Sequence, residues 1–69
     1  MNNFSLSECL KQPIHWEKTD RAEFPYAVEI KGKKWSIRIN DFPVEPLYTL
    51  FIDDQEIGSF DDWSNVWQK

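Results

Sequence analysis

Apolar and polar residues alternate with a period of two in the middle of the chain. The alternating apolar positions are Tyr26, Val28 and Ile30, followed by Trp35, Ile37 and Ile39. A period of two places every second side chain on the same face of a β-strand. Gly32-Lys33 lies between the two runs, and glycine readily adopts the positive φ of a tight hairpin turn. The pattern therefore predicts a β-hairpin whose apolar face includes Trp35.

The N-terminal part of the chain has a helical period instead. Ser5-Leu6-Ser7-Glu8 fits a capping box, in which a serine oxygen accepts a hydrogen bond from an amide of the first turn. Leu6, Cys9 and Leu10 would share one face, and Pro13 disfavours helical geometry at the residue before it. We expect a short helix over residues 6–12, with Cys9 as a small core residue rather than a nucleophile.

Shorter patterns extend the predicted sheet on both sides of the hairpin. Ile14 and Trp16 alternate with polar residues and indicate a short strand, on which His15 points away from the apolar face. Residues 41–46 contain two prolines and break the sheet, because proline cannot donate to a strand ladder. Residues 47–52 form a strand that is apolar on both faces, and residues 56–60 form a returning edge strand with Gly58 as a bulge.

The stretch SFDDWSNVW, residues 59–67, predicts a second helix. Asp61 or Asp62 suits the N-cap position, where a carboxylate also complements the helix dipole. Trp63, Val66 and Trp67 have the i, i+3, i+4 spacing of one helical face. The expected fold is therefore α+β: an antiparallel β-meander of four to five strands with a short N-terminal helix and a short C-terminal helix.

Composition indicates one small folded domain over residues 1–69. Hydrophobic residues make up 41% of the chain and aromatic residues 16%, including 4 Trp, which is too much apolar area for a disordered chain. The single cysteine cannot form an internal disulfide, and the first residues lack the basic and apolar segments of a signal peptide. No apolar run approaches the length of a membrane span. We therefore expect a cytoplasmic protein that is not inserted in a membrane.

Charge is distributed unevenly along the chain. Residues 41–69 carry seven carboxylates and one lysine, a net charge of -6, whereas residues 1–40 carry seven basic and five acidic residues, a net charge of +2. An acidic surface attracts a basic partner and repels nucleic acid. An equally simple interpretation is that these acids provide solubility and cap a helix.

These features favour a non-enzymatic module that binds another protein, of the inhibitor, immunity-type or regulatory kind. Tryptophan anchors surrounded by charge are typical of compact interfaces. The candidate partner-binding residues are Asp53, Asp54, Glu56, Asp61 and Asp62 for electrostatic attraction, with Trp63 or Trp67 as an anchor if either is exposed. The alternatives are a homodimer whose aromatic rings complete a shared core and, less favoured, a small metabolite binder or enzyme.

Other chemistries have little support in the sequence. The segment DDQEIGSFDD lacks the residue order of a calcium loop, and one histidine with one cysteine cannot supply four zinc ligands. The two glycines are isolated, so no phosphate-binding loop is indicated. Basic residues surround Trp35 on the predicted hairpin, but its position in the alternation directs it to the core rather than to a nucleic acid. We expect no metal, no cofactor and no catalytic residue.

Overall fold

A computed structural model describes residues 5–69, which form one short helix and seven strands. The elements are α1 (Leu6–Lys11), β1 (Ile14–His15), β2 (Glu17–Lys18), β3 (Tyr26–Ile30), β4 (Lys33–Ile39), β5 (Tyr48–Ile52), β6 (Gln55–Phe60) and β7 (Trp67–Gln68). Strands β2 to β6 lie in chain order in one antiparallel sheet, and β1 pairs in parallel with β7. The small α+β fold with an antiparallel meander is thereby confirmed.

The N-terminal helix follows the predicted cap. The Ser5 side chain accepts a hydrogen bond from the Glu8 amide at 3.3 Å, and α1 ends at Lys11, one residue before the predicted end. Cys9 is 2% exposed and belongs to the core, as predicted. No helix within residues 5–69 is long and apolar enough to cross a membrane. Residues 1–4, which also enter the expectation about a signal peptide, lie outside the described residues.

The predicted hairpin is confirmed as β3 and β4. Ile30 pairs with Lys33, so the two-residue turn is Lys31-Gly32 and not the predicted Gly32-Lys33, and its φ values are 52° and 79°. Two successive positive φ angles match the right-handed twist of the flanking strands. Trp35 is buried, which removes it as a stacking surface for nucleic acid, while the last apolar residue of the face, Ile39, is 42% exposed.

Aromatic rings fill the core on one face of the sheet. Trp67 is at the centre of this group, with ring centroids 5.1 Å from Trp16, 5.3 Å from Trp63 and 5.5 Å from Phe60. Its indole nitrogen donates to the Cys9 carbonyl at 3.2 Å, which joins the C-terminal segment to α1. The Trp67 ring therefore contacts residues that are distant from one another in the sequence.

The predicted C-terminal helix is wrong. Trp67 and Gln68 instead form β7, whose backbone pairs with β1 through hydrogen bonds from Ile14 to Val66 and from Trp16 to Gln68. A helix over so few residues has a costly nucleus and relies on tertiary packing. In the extended conformation, Trp67 reaches the core while its backbone completes a ladder with β1. The competing tertiary contacts therefore outweigh the local helical spacing.

The opposite face of the sheet contains a buried polar network. The Thr49 side chain is fully buried; its hydroxyl lies 2.8 Å from the Ser59 hydroxyl and accepts a hydrogen bond from Asn40 Nδ2 at 2.6 Å. Arg38 Nε donates to Asn40 Oδ1, the oxygen of the same side-chain amide, at 3.0 Å. Because its side chains partner one another, this network can lie in the sheet without unsatisfied groups.

Two phenylalanine rings and two arginines lie on the same outer face. Phe24 and Phe51 meet with centroids 5.6 Å apart and their planes near perpendicular. The Arg21 guanidinium lies 4.9 Å from the Phe24 centroid, and that of Arg38 lies 5.2 Å from the Phe51 centroid. An edge-to-face ring contact and two cation–π contacts thus cover part of a face that has no helix above it within residues 5–69.

The predicted irregularity in the edge strand is present next to Gly58. Leu50 pairs with Gly58 and Phe51 pairs with Glu56, so Ile57 is the extra residue of the bulge. Gly58 itself lies under α1: a Cβ atom added there would lie 3.0 Å from Leu6 Cδ2 and 3.2 Å from Leu6 Cβ. The glycine therefore provides the close approach between helix and sheet.

We expect Gly58→Ala to lower the free energy of unfolding by about 1 to 2 kcal/mol, because the new methyl group overpacks against Leu6. Urea unfolding followed by circular dichroism measures the change. In a Leu6→Ala background the added cost should fall by about half, since the nearer methyl group of Leu6 is gone. Greater stability of Gly58→Ala than of the parent would contradict the close approach.

Candidate protein-binding surface

The predicted acidic residues lie at the two ends of β6. Asp53 and Asp54 form the turn before the strand, Glu56 is exposed near its start, and Asp61 and Asp62 follow its end. A strand residue advances about 3.3 Å, so the two groups are separated by roughly 20 Å. The acids form a stripe along an edge strand, and they do not converge on one point.

At the first end, Asp53 has a structural role in the turn. Asp53 and Asp54 have φ values of 51° and 66°, and the Asp53 carboxylate accepts a hydrogen bond from the Lys34 amide at 2.9 Å. Its second oxygen lies 3.7 Å from Lys33 Nζ, and both side chains are about half exposed. An ion pair so exposed contributes little to stability. The neighbouring lysines nevertheless offset part of the negative charge at this end.

At the second end, Asp61 connects β6 to the start of β5. Its Oδ1 accepts a hydrogen bond from the Leu47 amide at 3.0 Å. No helix begins after Asp61 or Asp62 in the described part of the chain, so the predicted N-cap role is wrong for both. The hydrogen bond satisfies a backbone donor at the end of the preceding loop. The next residue, Asp62, is exposed and lines part of a surface cleft. Asp61 therefore lies beside a loop that comes from a different part of the sequence.

The two predicted tryptophan anchors differ in exposure. Trp67 is 3% exposed and belongs to the core, so it offers no surface to a partner. Trp63 is half-buried, and its indole nitrogen donates to the Trp67 carbonyl at 3.1 Å. An anchor has to be exposed before it can contact a partner. Trp67 is therefore excluded as an anchor, and Trp63 is only partly accessible.

Among residues 5–69, the most exposed large apolar side chains lie on the loop between β4 and β5, residues 40–47. Val44 is 85% exposed and Phe42 is 55% exposed, and Phe42 precedes Pro43 through a cis peptide bond. The sequence predicts a break in the sheet here, but Phe42 and Val44 are not among the binding residues predicted from it. The signal was present, because Phe42 before Pro43 and Val44 between the two prolines lie in a predicted loop, where they have no strand or helix face on which to be buried.

Hydrogen bonds hold the backbone of this loop at both ends. Asn40 donates from its amide to the Leu47 carbonyl at 2.9 Å and from its side chain to the Pro46 carbonyl at 2.8 Å. Within the loop, the Glu45 amide donates to the Asp41 carbonyl at 2.9 Å. Since Asn40 also belongs to the buried network with Thr49, the loop is connected to the sheet interior. Phe42 and Val44 are thus displayed on an internally bonded loop.

Carboxylates lie within the same loop and at its end. Asp41 and Glu45 lie within the loop, and Asp61 bonds to the amide that ends it. We call Asp41, Phe42, Val44, Glu45 and Asp61 the β4–β5 loop surface. It combines apolar area with negative charge at one end of the sheet, which is the combination that the sequence predicted around Trp63.

A separate cleft of about 390 Å³ lies between the end of α1 and the segment before β7. Its lining comprises Leu10, Lys11, Asp62, Trp63, Ser64, Asn65 and Val66. Ser64 Oγ donates to the Leu10 carbonyl at 2.5 Å, which joins the two walls of the cleft. The lining brings one cation and one carboxylate together with an aromatic ring, but it contains no nucleophile paired with a base.

The described residues offer little else for chemistry. Within residues 5–69, no group of three or more histidine, cysteine, aspartate or glutamate side chains is placed to hold a metal ion. Burial raises the pKa of the Cys9 thiol, and the negative charge of Glu8 raises it further. A thiol that stays protonated is a poor nucleophile. His15 is exposed, as predicted.

Comparison with protein-family models, curated proteins and solved structures finds no match to this chain.

Proposed function

We propose that this protein is a non-enzymatic module that binds a basic protein partner through the β4–β5 loop surface. The observation that carries the proposal is the exposure of Phe42 and Val44 on a loop whose backbone is hydrogen-bonded at both ends. Large apolar side chains in the solvent contribute nothing to the stability of the domain itself. They gain free energy only when another surface covers them.

The energetics of such a surface suit a compact interface. Burying one phenylalanine or valine side chain contributes about 1.5 to 3 kcal/mol. The hydrogen bonds of Asn40 and Asp61 hold the loop ends before any partner arrives, which reduces the entropy lost on binding. The flanking carboxylates raise the association rate with a basic surface and disfavour an acidic one. Apolar anchors therefore supply affinity, and the acids supply selectivity for a positively charged partner.

The acids at the other end of β6 contribute little to this surface. At physiological ionic strength, the interaction of exposed charges is screened over about 8 Å, and Asp53, Asp54 and Glu56 lie well beyond that distance. Asp53 is also paired with Lys33. Of the acidic residues predicted from the sequence, we therefore retain Asp61, with Asp62 beside it, for partner recognition.

The proposal predicts that Phe42→Ser with Val44→Ser weakens partner binding at least tenfold without unfolding the domain, because both anchors are exposed in the free protein. Binding is measured by recovering proteins from the native source with the tagged chain, followed by titration of the purified partner. Asp41→Asn with Glu45→Gln should slow association and reduce its dependence on salt.

The matched control removes two charges from the other end of β6 with Asp54→Asn and Glu56→Gln. It should bind the partner as the parent does. Equal binding by the serine variant and the parent would exclude the loop surface as the interface. Recovery of the chain itself as the only partner, with dimerisation lost in the serine variant, would replace the proposal with a homodimer that uses this surface.

A further inference from the structure

A lysine side chain lies over half-buried aromatic rings on the core side of the sheet. Lys69 Nζ is 5.0 Å from the centroid of the Trp63 ring and 5.9 Å from that of Tyr26. Both distances are within the range of a cation–π contact, and tryptophan gives the strongest contact of this kind. An ammonium group of this chain therefore lies on the aromatic surface.

The rings beneath Lys69 form a platform that other contacts hold in place. Trp63 lies 5.2 Å from Tyr26 and 5.4 Å from Tyr48 between ring centroids. The hydrogen bond from its indole nitrogen to the Trp67 carbonyl orients the Trp63 ring. None of these contacts involves the Lys69 side chain. The aromatic platform, which we define as Tyr26, Tyr48 and Trp63, is therefore built without its cation.

Lys69 is weakly held on this platform. It is exposed, and no carboxylate among residues 5–69 forms an ion pair with it. Ordering a lysine side chain loses rotamer freedom comparable in free energy with the gain from a solvent-exposed cation–π contact. The contact is therefore close to balance, and another cation can exchange with the Lys69 ammonium.

We propose that the aromatic platform is a binding site for an alkylammonium group, such as the lysine side chain of a protein partner, and that Lys69 is its internal competitor. The negative face of the Trp63 ring favours a cation over an apolar group of the same size. Asp62 lines the same cleft as Trp63 and adds negative charge near the ring. The site is distinct from the β4–β5 loop surface and holds whether or not that loop binds a protein.

The test uses n-butylammonium chloride, which reproduces the end of a lysine side chain, and 1-butanol as the uncharged analogue of similar shape. Each is titrated into the parent and into Lys69→Ala at constant ionic strength, and NMR follows the Trp63 indole and Tyr26 ring signals. We expect Lys69→Ala to lower the butylammonium midpoint about twofold, because a competitor that occupies the platform about half of the time is absent. Butanol should give no saturable shift of these signals in either protein.

A second variant addresses the aromatic ring itself. In the Lys69→Ala background, Trp63→Phe should raise the butylammonium midpoint at least twofold, because phenylalanine forms a weaker cation–π contact. Equal midpoints for the parent and Lys69→Ala would overturn the proposal, as would matching titrations with butylammonium and butanol. Because small molecules are the probes, failure here would leave the loop-surface proposal unaffected.

Discussion

Changing Trp67 to alanine should lower the free energy of unfolding by about 3 to 5 kcal/mol. The side chain is 3% exposed, and its ring contacts Trp16, Trp63 and Phe60. Alanine removes these contacts and leaves a cavity between α1 and the sheet, and it also removes the hydrogen bond to the Cys9 carbonyl. A chain of this length has a total stability of roughly 3 to 10 kcal/mol, so the variant should be largely unfolded at moderate temperature.

Urea or thermal unfolding followed by circular dichroism measures this effect. Val66→Ala is the matched control, because Val66 is the adjacent residue and its side chain is 42% exposed. The control should lose less than about 1 kcal/mol. Trp67→Phe should fall between the two, since a ring remains but the donor to Cys9 is lost. A small effect of Trp67→Ala, close to that of the control, would show that Trp67 is not the centre of the core.

Replacing Thr49 with valine should cost about 2 to 3 kcal/mol, because valine keeps the shape but removes the hydroxyl. That hydroxyl is fully buried and is bonded to Asn40 Nδ2 and to the Ser59 hydroxyl. Valine leaves these polar groups without one partner each in a buried environment. Thr49→Ser, which retains the oxygen, should cost less. Stability of Thr49→Val equal to that of the parent would contradict the network.

The same substitution should loosen the β4–β5 loop. The side-chain amide of Asn40 donates both to the buried hydroxyl of Thr49 and to the Pro46 carbonyl. Loss of the Thr49 hydroxyl therefore weakens the hydrogen bond from Asn40 to Pro46. Hydrogen exchange at the Asn40 amide, which donates to the Leu47 carbonyl, should become faster in Thr49→Val than in Thr49→Ser. An unchanged exchange rate would mean that the loop is independent of the outer-face network. This experiment connects the interior of the sheet with the proposed binding surface.

The elements that could be predicted from the sequence are those with local causes. The capping serine of α1 and the alternation of β3 and β4 act over a few residues. The glycine marks the turn between these strands, but the turn lies one residue earlier than predicted, at Lys31-Gly32. Position along an alternating strand also placed Trp35 in the core and His15 on the surface. For these residues, neighbours in sequence are neighbours in the structure.

The errors concern residues whose environment comes from distant parts of the chain. The spacing of Trp63 and Trp67 suits a helix, but pairing with β1 and packing against Trp16 select an extended strand. Asp61 suits an N-cap, but the Leu47 amide is its partner. Local propensity contributes tenths of a kcal/mol per residue, whereas burial of one tryptophan contributes several times more.

For the candidate site, the sequence by itself determined the chemistry: many acids in the C-terminal half, and an aromatic content of 16%. Only the tertiary structure decided which of these groups are accessible. It buried Trp67, separated the acids along β6, and left Phe42 and Val44 exposed on a loop whose last residue is bonded to Asp61. The physical reason is that exposure depends on what the whole fold places above a residue, and a pattern of neighbouring residues contains no information about that cover.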